Sequence, residues 1–491
     1  MKERDQLVEA ATKFIRAAFS ALAREHVIPT PSYHPWVRLG RDYFGDTVRG
    51  AHLDQLDEML QEIYPQRFAG RQTEKHPEFP HFYTFSLLEA AIRRCGAEDG
   101  ETYEPESPPV QEAINEFIEV LNSPDYTMSC CRAMSQMTTD GNAPLTIGDI
   151  TIMPENGTKI LVDQTLDVIP AAGSSFNRER PSLYDPPHSL LVTTITTSDP
   201  DRFGIAAQLK RRLDRFELII RLLFAGTTES AWQVVGTSTL VSRFDPQYEV
   251  LSRLEIPRIL MQRVIKFESA HATAIAALND FLDEANVKRA GMVATSFDIA
   301  LMLFNRSFRD RDDYGQIIDL VTALEAILTG GDDDTEGIGL RLRSRAAALL
   351  WTDSDPGRAI FNDIKKLYSL RSKLVHGARI SENWLLKSIR EISVVPKDVP
   401  YRVAYSFAVD RLRDLVRRAF LARLCLASGE EPFWQFEASA PVDEIFSDEN
   451  GRARWRAAWR ETLKTLGAAS AADQAVRAVD PIREPIARPG R

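Results

Sequence analysis

L-Y-S-L-R-S-K-L-V-H-G, residues 367 to 377, is the stretch on which the reading of this chain turns. Working back from it, Ile360, Ile364, Leu367, Arg371 and Leu374 recur at alternating spacings of four and three, the seam of a helix packed on a neighbour. Arg371 therefore falls in an otherwise apolar stripe. A guanidinium there is costly to desolvate, and calls for a carboxylate, a facing polar surface or an anionic ligand. Gly377 readily takes the left-handed conformation that ends a helix, which puts His376 in the last turn. An arginine that never titrates and a histidine of the type that titrates near neutrality could together hold a phosphate and move a proton beside it.

Spacing alone does not decide the matter, because Arg71 and His76 in R-Q-T-E-K-H have the same separation. That copy lacks an apolar seam, follows Gly70 and precedes Pro77, so it reads as a loop and a coincidence.

The stretch from Arg371 to His376 resembles the arginine, four-to-six residues, histidine motif of HEPN ribonucleases, particularly the ApeA-like HEPN group, whose motif helix reads close to Y-x-x-R-S-x-x-V-H-G. Upstream, D-Y-G-Q-I-I-D-L-V-T-A-L-E-A-I-L, residues 313 to 328, is similar to that group's preceding core helix, with an acidic glycine loop and an Arg-rich helix after it. The resemblance spans residues 291–427 and nothing outside. It implies metal-independent RNA cleavage, with no cofactor, in which His376 acts as general base or acid on the 2′-hydroxyl or the leaving 5′-oxygen. Arg371 holds the scissile phosphate and stabilises its developing charge. The implied ends are a 2′,3′-cyclic phosphate and a 5′-hydroxyl, from RNA such as transfer RNA; DNA lacks the 2′-hydroxyl and is left intact.

HEPN ribonucleases generally pair two motifs across a two-fold axis, and one credible copy occurs here. The resemblance thus implies a homodimer with its contact near Arg371. Glu325, on the apolar face of its helix beside Val321, Leu324 and Leu328, would orient Arg371 or another basic side chain, or serve as a plain ion pair. Tyr368 belongs to the same motif, and Lys373, with Lys365, Lys366 and Arg379, places positive charge around it. Many HEPN motifs carry Asn, Asp or His directly after the arginine. Ser372 stands there instead, four residues before His376, where its hydroxyl could bond the imidazole or the RNA.

By analogy with ApeA-like proteins, the chain is expected to be an abortive-infection, anti-phage effector whose first 290 residues sense a phage component or restrain the nuclease. Two alternatives stay open. One is a catalytically silent HEPN dimerisation scaffold; the other is a toxin component neutralised by a separate partner.

Composition sets bounds on all of these. The 491 residues are 44% hydrophobic and 26% charged, as in an ordinary globular protein of several domains. A net charge of -10 argues against coating nucleic acid through bulk electrostatics, leaving a local site. Cys95, Cys130, Cys131 and Cys425 have no metal or C-x-x-C spacing, which points to a reducing cytoplasm. The N-terminal residues interrupt apolar positions with charge at helical spacing, unlike a signal peptide, and no stretch suits a membrane span. Asp332, Asp334, Glu336 and Gly337 mimic half of an EF-hand loop, but its twelfth position is Arg343, so the segment reads as an acidic helix cap. His26, His34, His52, His76, His81, His188 and His271 show no metal-ligand spacing.

The fold expected is a mixed α+β N-terminal region followed by an all-α C-terminal HEPN helical bundle. Residues 1–125 form a helical region and 126–256 an α+β region for sensing or regulation. Residues 257–290 form a connecting helix, 291–427 the bundle, and 428–491 an extension with a disordered tail after about 466. Strand-like runs start at about 145, namely L-T-I-G-D-I-T-I, K-I-L-V-D, S-L-L-V-T-T-I-T-T and W-Q-V-V-G-T-S-T-L-V. Helices are expected at 4–26, 52–63, 111–121, 204–224, 259–286, 294–308, 313–329, 338–351, 357–376, 382–393 and 401–427, with a linker at 98–109 and a further helix ending near Arg94.

Overall fold

The computed structural model describes residues 2–24, 51–65, 84, 87–88, 90–91, 94, 104–123, 125–135, 137–154, 189–198, 201–225, 229–237, 247–250, 265–288, 295–309, 313–330, 337–377, 381–428, 432–436 and 441–473. The Arg71 and His76 pair, the K-I-L-V-D run, Asp332 to Glu336 and Arg379 lie outside the described residues.

Three N-terminal helices share one core. In α1 (Lys2–Arg24), Leu7, Ala11, Phe14, Ile15 and Ala18 recur at helical spacing and are buried. They meet Leu53, Leu56 and Leu60 of α2 (Ala51–Ile63), and Val110, Ile114, Phe117 and Leu121 of α3 (Pro108–Asn122). Two prolines occupy the first positions of α3, where a missing N–H costs nothing, so the last residues of the expected linker belong to the helix.

A six-stranded antiparallel sheet follows. Its strands are β1 (Tyr126–Ser135), β3 (Leu145–Ile147), β4 (Ile150–Pro154), β5 (Ser189–Thr197), β6 (Glu229–Thr237) and β7 (Gln247–Val250), in the order β3-β4-β5-β1-β6-β7. Gly148, at φ 56, opens the two-residue turn between β3 and β4. A separate parallel pair joins β2 (Met137–Thr139) to β8 (Ile265–Phe267). That pair corrects the expected helix at 259–286: Ile265 and Phe267 are buried and Lys266 is exposed, a period-two pattern, and helix α5 begins at Ser269 (Ser269–Lys288).

Helix α4 (Arg202–Leu223) lies on the sheet through the expected stripe of Leu209, Leu213, Phe216 and Ile220. Beside the stripe is a buried charge cluster. Arg132 of β1 reaches Glu217 Oε2 at 2.7 Å and Gln233 Oε1 at 2.7 Å, and Arg221 reaches Glu217 Oε1 at 2.6 Å. Each charge is thus paired, as burial demands.

The C-terminal half is helical: α6 (Ser296–Arg309), α7 (Asp313–Thr329), α8 (Ile338–Leu350), α9 (Gly357–Val375), α10 (Glu382–Arg390) and α11 (Tyr401–Leu426). Helix α11 is buried nearly all round and contacts α7, α8 and α10. Its Arg411, Asp414, Arg417 and Arg418 form a buried ion network with Asp355 and Asp363. Helices α12 (Val442–Ser447), α13 (Glu449–Thr465) and α14 (Ala469–Asp473) close the bundle, with Trp459 and Leu463 fully buried. Residues 466–473 therefore correct the expectation of a disordered tail, because Ala471 and Ala472 are buried and the Ala471 carbonyl accepts from Arg417 Nη1 at 2.7 Å. One apolar core runs from the sheet through the bundle into α14. Among the described residues, no helix is long and apolar enough to cross a membrane.

Candidate functional site

The motif helix α9 starts after Pro356 and buries Ile360, Asp363, Ile364, Leu367 and Leu370. The expected seam is thus correct as far as Leu367, after which burial passes to Leu370 and the helix emerges from the bundle. Arg371, in the stripe that called for a carboxylate or an anion, is 24% exposed at this point of emergence and has a carboxylate near it. Leu374 is half-buried, and Val375 is 49% exposed. The fully buried charge on this face is Asp363, which the apolar pattern passed over. It accepts from the Ser393 N–H at 2.8 Å, the Ser393 hydroxyl at 2.6 Å and Arg411 Nε at 2.9 Å.

Among the described residues, Arg371 has one ionic partner at this end of the bundle. Its Nη2 stands 3.8 Å from Glu325 Oε2, one turn before the end of α7. The Tyr368 phenol lies within electrostatic reach of the same carboxylate, and its ring rests on the first turn of α8, where a Cβ at Gly339 would lie 3.0 Å from Tyr368 Cε1. Burial first, then the neighbouring carboxylate, pushes the Tyr368 phenol up, and Arg371 opposes them. Tyr368 therefore stays protonated and available as a donor. Arg371 Nε, by contrast, is buried without a hydrogen-bond acceptor among the described residues. A guanidinium held by one long ion pair, with an N–H unsatisfied, has capacity left for an anion.

His376 caps the C-terminus of α9 at φ -84 and ψ 7, and Gly377 follows at φ 66, the left-handed turn expected of it. The His376 N–H donates to the Ser372 carbonyl at 3.1 Å, so Ser372 meets this residue through its backbone. The imidazole is exposed. Five residues at about 100° each set His376 some 140° around the axis from Arg371. Arg371 accordingly lies toward the bundle and His376 toward solvent.

The basic surroundings are sorted by partner. Lys366 pairs with Glu391, whereas Lys373 Nζ lies 3.8 Å from the centroid of the Trp384 ring. Trp384 escaped the sequence reading, although Ser381 three residues before it is a helix N-cap signal, and its Oγ does accept from the Trp384 N–H at 3.3 Å. Two residues on α8 were also missed as neighbours: Arg343 sits over the Phe361 ring at 4.8 Å, and Leu340 is 53% exposed. Among the described residues, no group of His, Cys, Asp and Glu could hold a metal ion. A scan against protein-family models, a search of curated proteins and a search of solved structures each find no match.

Proposed function

We propose that this chain is a metal-independent endoribonuclease of HEPN type, acting as a homodimer through Arg371 and His376. The observation that carries the reading is the emergent end of α9, where an arginine with an unsatisfied Nε, paired at 3.8 Å with Glu325, stands about 1.4 turns from an exposed histidine. Arg371 holds the scissile phosphate, and one His376 takes the proton of the 2′-hydroxyl. The 2′-oxygen then attacks phosphorus, the 5′-oxygen leaves and collects a proton from the second copy's histidine, and a 2′,3′-cyclic phosphate remains.

The divergence of Arg371 and His376 around one helix supports a composite site, since a second copy can bring its histidine opposite the first copy's arginine. Exposed Val375 and Leu340, in the last turn of α9 and the first turn of α8, give such a contact apolar surface. The substrate in this reading is RNA, with transfer RNA as first choice, and the cell use is an anti-phage effector in the cytoplasm. The sheet region is the sensing element for a phage component; Arg417 Nη1 to the Leu222 carbonyl, at 3.2 Å, is one of its physical links to the bundle.

A second reading has one observation in its favour. Glu325 offers Arg371 a partner within its own chain, as in a silent scaffold. Incubating wild-type and His376→Ala protein with total transfer RNA in excess EDTA separates the two. Cleavage by wild type alone, leaving cyclic phosphates, supports the nuclease; equal cleavage by both assigns the activity elsewhere; no cleavage by either favours the scaffold.

A further inference from the structure

Trp384 is anchored on both sides of its backbone. Its N–H donates to Ser381 Oγ at 3.3 Å, its carbonyl accepts from Ser388 Oγ at 2.9 Å, and the next residue, Leu385, is buried beside Ile389. The indole lies half-buried against the margin of the bundle core. Lys373 lies over it, with Nζ 3.8 Å from the ring centroid. Lys373 also precedes His376 by three residues, so the two share one side of the end of α9. An aromatic face thus lies under a lysine that shares the histidine's side of α9.

The neighbouring lysine gives the contrast. Lys366 is neutralised by Glu391, whose carboxyl is held below its usual range by that bond. Among the described residues Lys373 forms no ion pair, and its ammonium rests on an aromatic face, an interaction of about 0.5–1 kcal/mol at an exposed site. Such a cation is easily drawn to a phosphate. An indole packed on the core with a cation above it provides the stacking surface and the charge with which proteins hold unpaired nucleotides.

We propose that Trp384 and Lys373 form a nucleobase subsite, so that the substrate of the Arg371 and His376 site is single-stranded RNA with an unpaired base next to the cleaved phosphate. The base stacks on the indole as Lys373 moves to the adjoining phosphate. The proposal rests on the ribonuclease reading for its place in catalysis, and its binding claim is measured separately.

Full-length His376→Ala protein, which leaves RNA intact, is titrated into fluorescent single-stranded RNA and into duplex RNA of equal length. Trp384→Ala is expected to weaken single-strand binding about ten- to a hundredfold, the scale of one base stacked on an aromatic ring, with duplex binding unchanged. Trp384→Phe should retain most of the affinity and Trp384→Leu should lose it. Both fill the volume, so this pair decides the issue even if the alanine variant folds poorly. Lys373→Gln should produce a smaller loss that fades at high salt. Unchanged single-strand affinity in Trp384→Leu, or equal losses on single-stranded and duplex RNA, overturns the subsite. Wild-type cleavage with no dependence on Trp384 overturns this inference and leaves the nuclease standing. Trp384-dependent binding without cleavage by wild type upholds the subsite and removes the nuclease, and no RNA binding at all removes both.

Discussion

Glu325 Oε2 and Arg371 Nη2 lie 3.8 Å apart, too far for a hydrogen bond and near enough for attraction. The carboxylate can therefore orient the guanidinium while leaving its N–H groups free for a phosphate. Glu325→Gln keeps the shape and removes the charge. We expect kcat on RNA to fall about tenfold or more, as misplacement of a catalytic group does, with KM unchanged or lower because a negative charge has gone. Arg371→Lys should not rescue activity, since an ammonium lacks the planar fork. A Glu325→Gln enzyme with wild-type kcat would leave the ion pair a purely structural role.

Val375, 49% exposed one residue before His376, is the position that separates assembly from folding. Val375→Asp should leave the unfolding free energy of a monomer within about 0.5 kcal/mol, because it touches little of the core. Sedimentation should show dimer converted to monomer, and RNA cleavage should disappear with it. Leu374→Asp is a poorer probe, since that residue is half-buried and packs on the core. Active Val375→Asp monomers would sink the composite site.

The bundle was legible because its helices announce themselves through apolar spacing and, at the motif, through the end signal of Gly377. Helix α7 is found where it was expected, at Asp313–Thr329, and α8, α9 and α11 depart from expectation by one residue at the C-terminal end. The central strand was not legible. β1 reads Y-T-M-S-C-C-R-A-M-S, and its buried Met128, Cys130 and Arg132 lack the β-branched texture by which strands are recognised. Periodicity also mistook the buried charge of α9, since it assumes that a charged residue on a seam is the exception to explain. Asp363 is satisfied from across the bundle by Arg411, 48 residues later, and no local pattern records that pairing. Trp384 was missed for the same reason, because its relation to Lys373 exists only after α9 and α10 pack.

Asp363 ties three elements together, accepting from Ser393 after α10 and from Arg411 of α11. Asp363→Ala leaves the buried Arg411 paired with Asp355 alone, at 2.7 Å, among the carboxylates it hydrogen-bonds in the described residues, and strands the Ser393 N–H. Breaking a buried pair in this way costs about 3–5 kcal/mol. Urea unfolding should show a loss of that order in the bundle transition. A change below about 1 kcal/mol would mean that water or a repacked side chain replaces the carboxylate.

Asp57 of α2 makes the N-terminal helices sensitive to pH. Its carboxylate accepts from Thr84 Oγ1 at 2.6 Å, and Thr84 is fully buried. Burial pushes the Asp57 carboxyl up from 3.8 to about 6, against the lowering effect of the Thr84 bond, and the nearby Asp54 adds to the rise. Below the unfolded value of 3.8, both states are protonated and the folded carboxyl makes its full contribution. As pH rises through about 6, the folded group must ionise in a poor solvent and that contribution is lost. The deficit at pH 7.5 is about 2–3 kcal/mol, the larger figure being an upper bound because the carboxyl is partly exposed. Asp57→Asn keeps an oxygen for Thr84 and cannot ionise. It should stabilise these helices at pH 7.5 by up to that amount, with the advantage shrinking as pH falls from about 7 toward 4. Asp57→Ala should gain less, because the buried Thr84 hydroxyl then has no acceptor. Hydrogen exchange at the amides of Leu53 to Leu60 reads this unit apart from the rest of the chain, whose core is separate. An asparagine advantage that grows on acidification would reverse the sign and show that Asp57 is held ionised in the folded state.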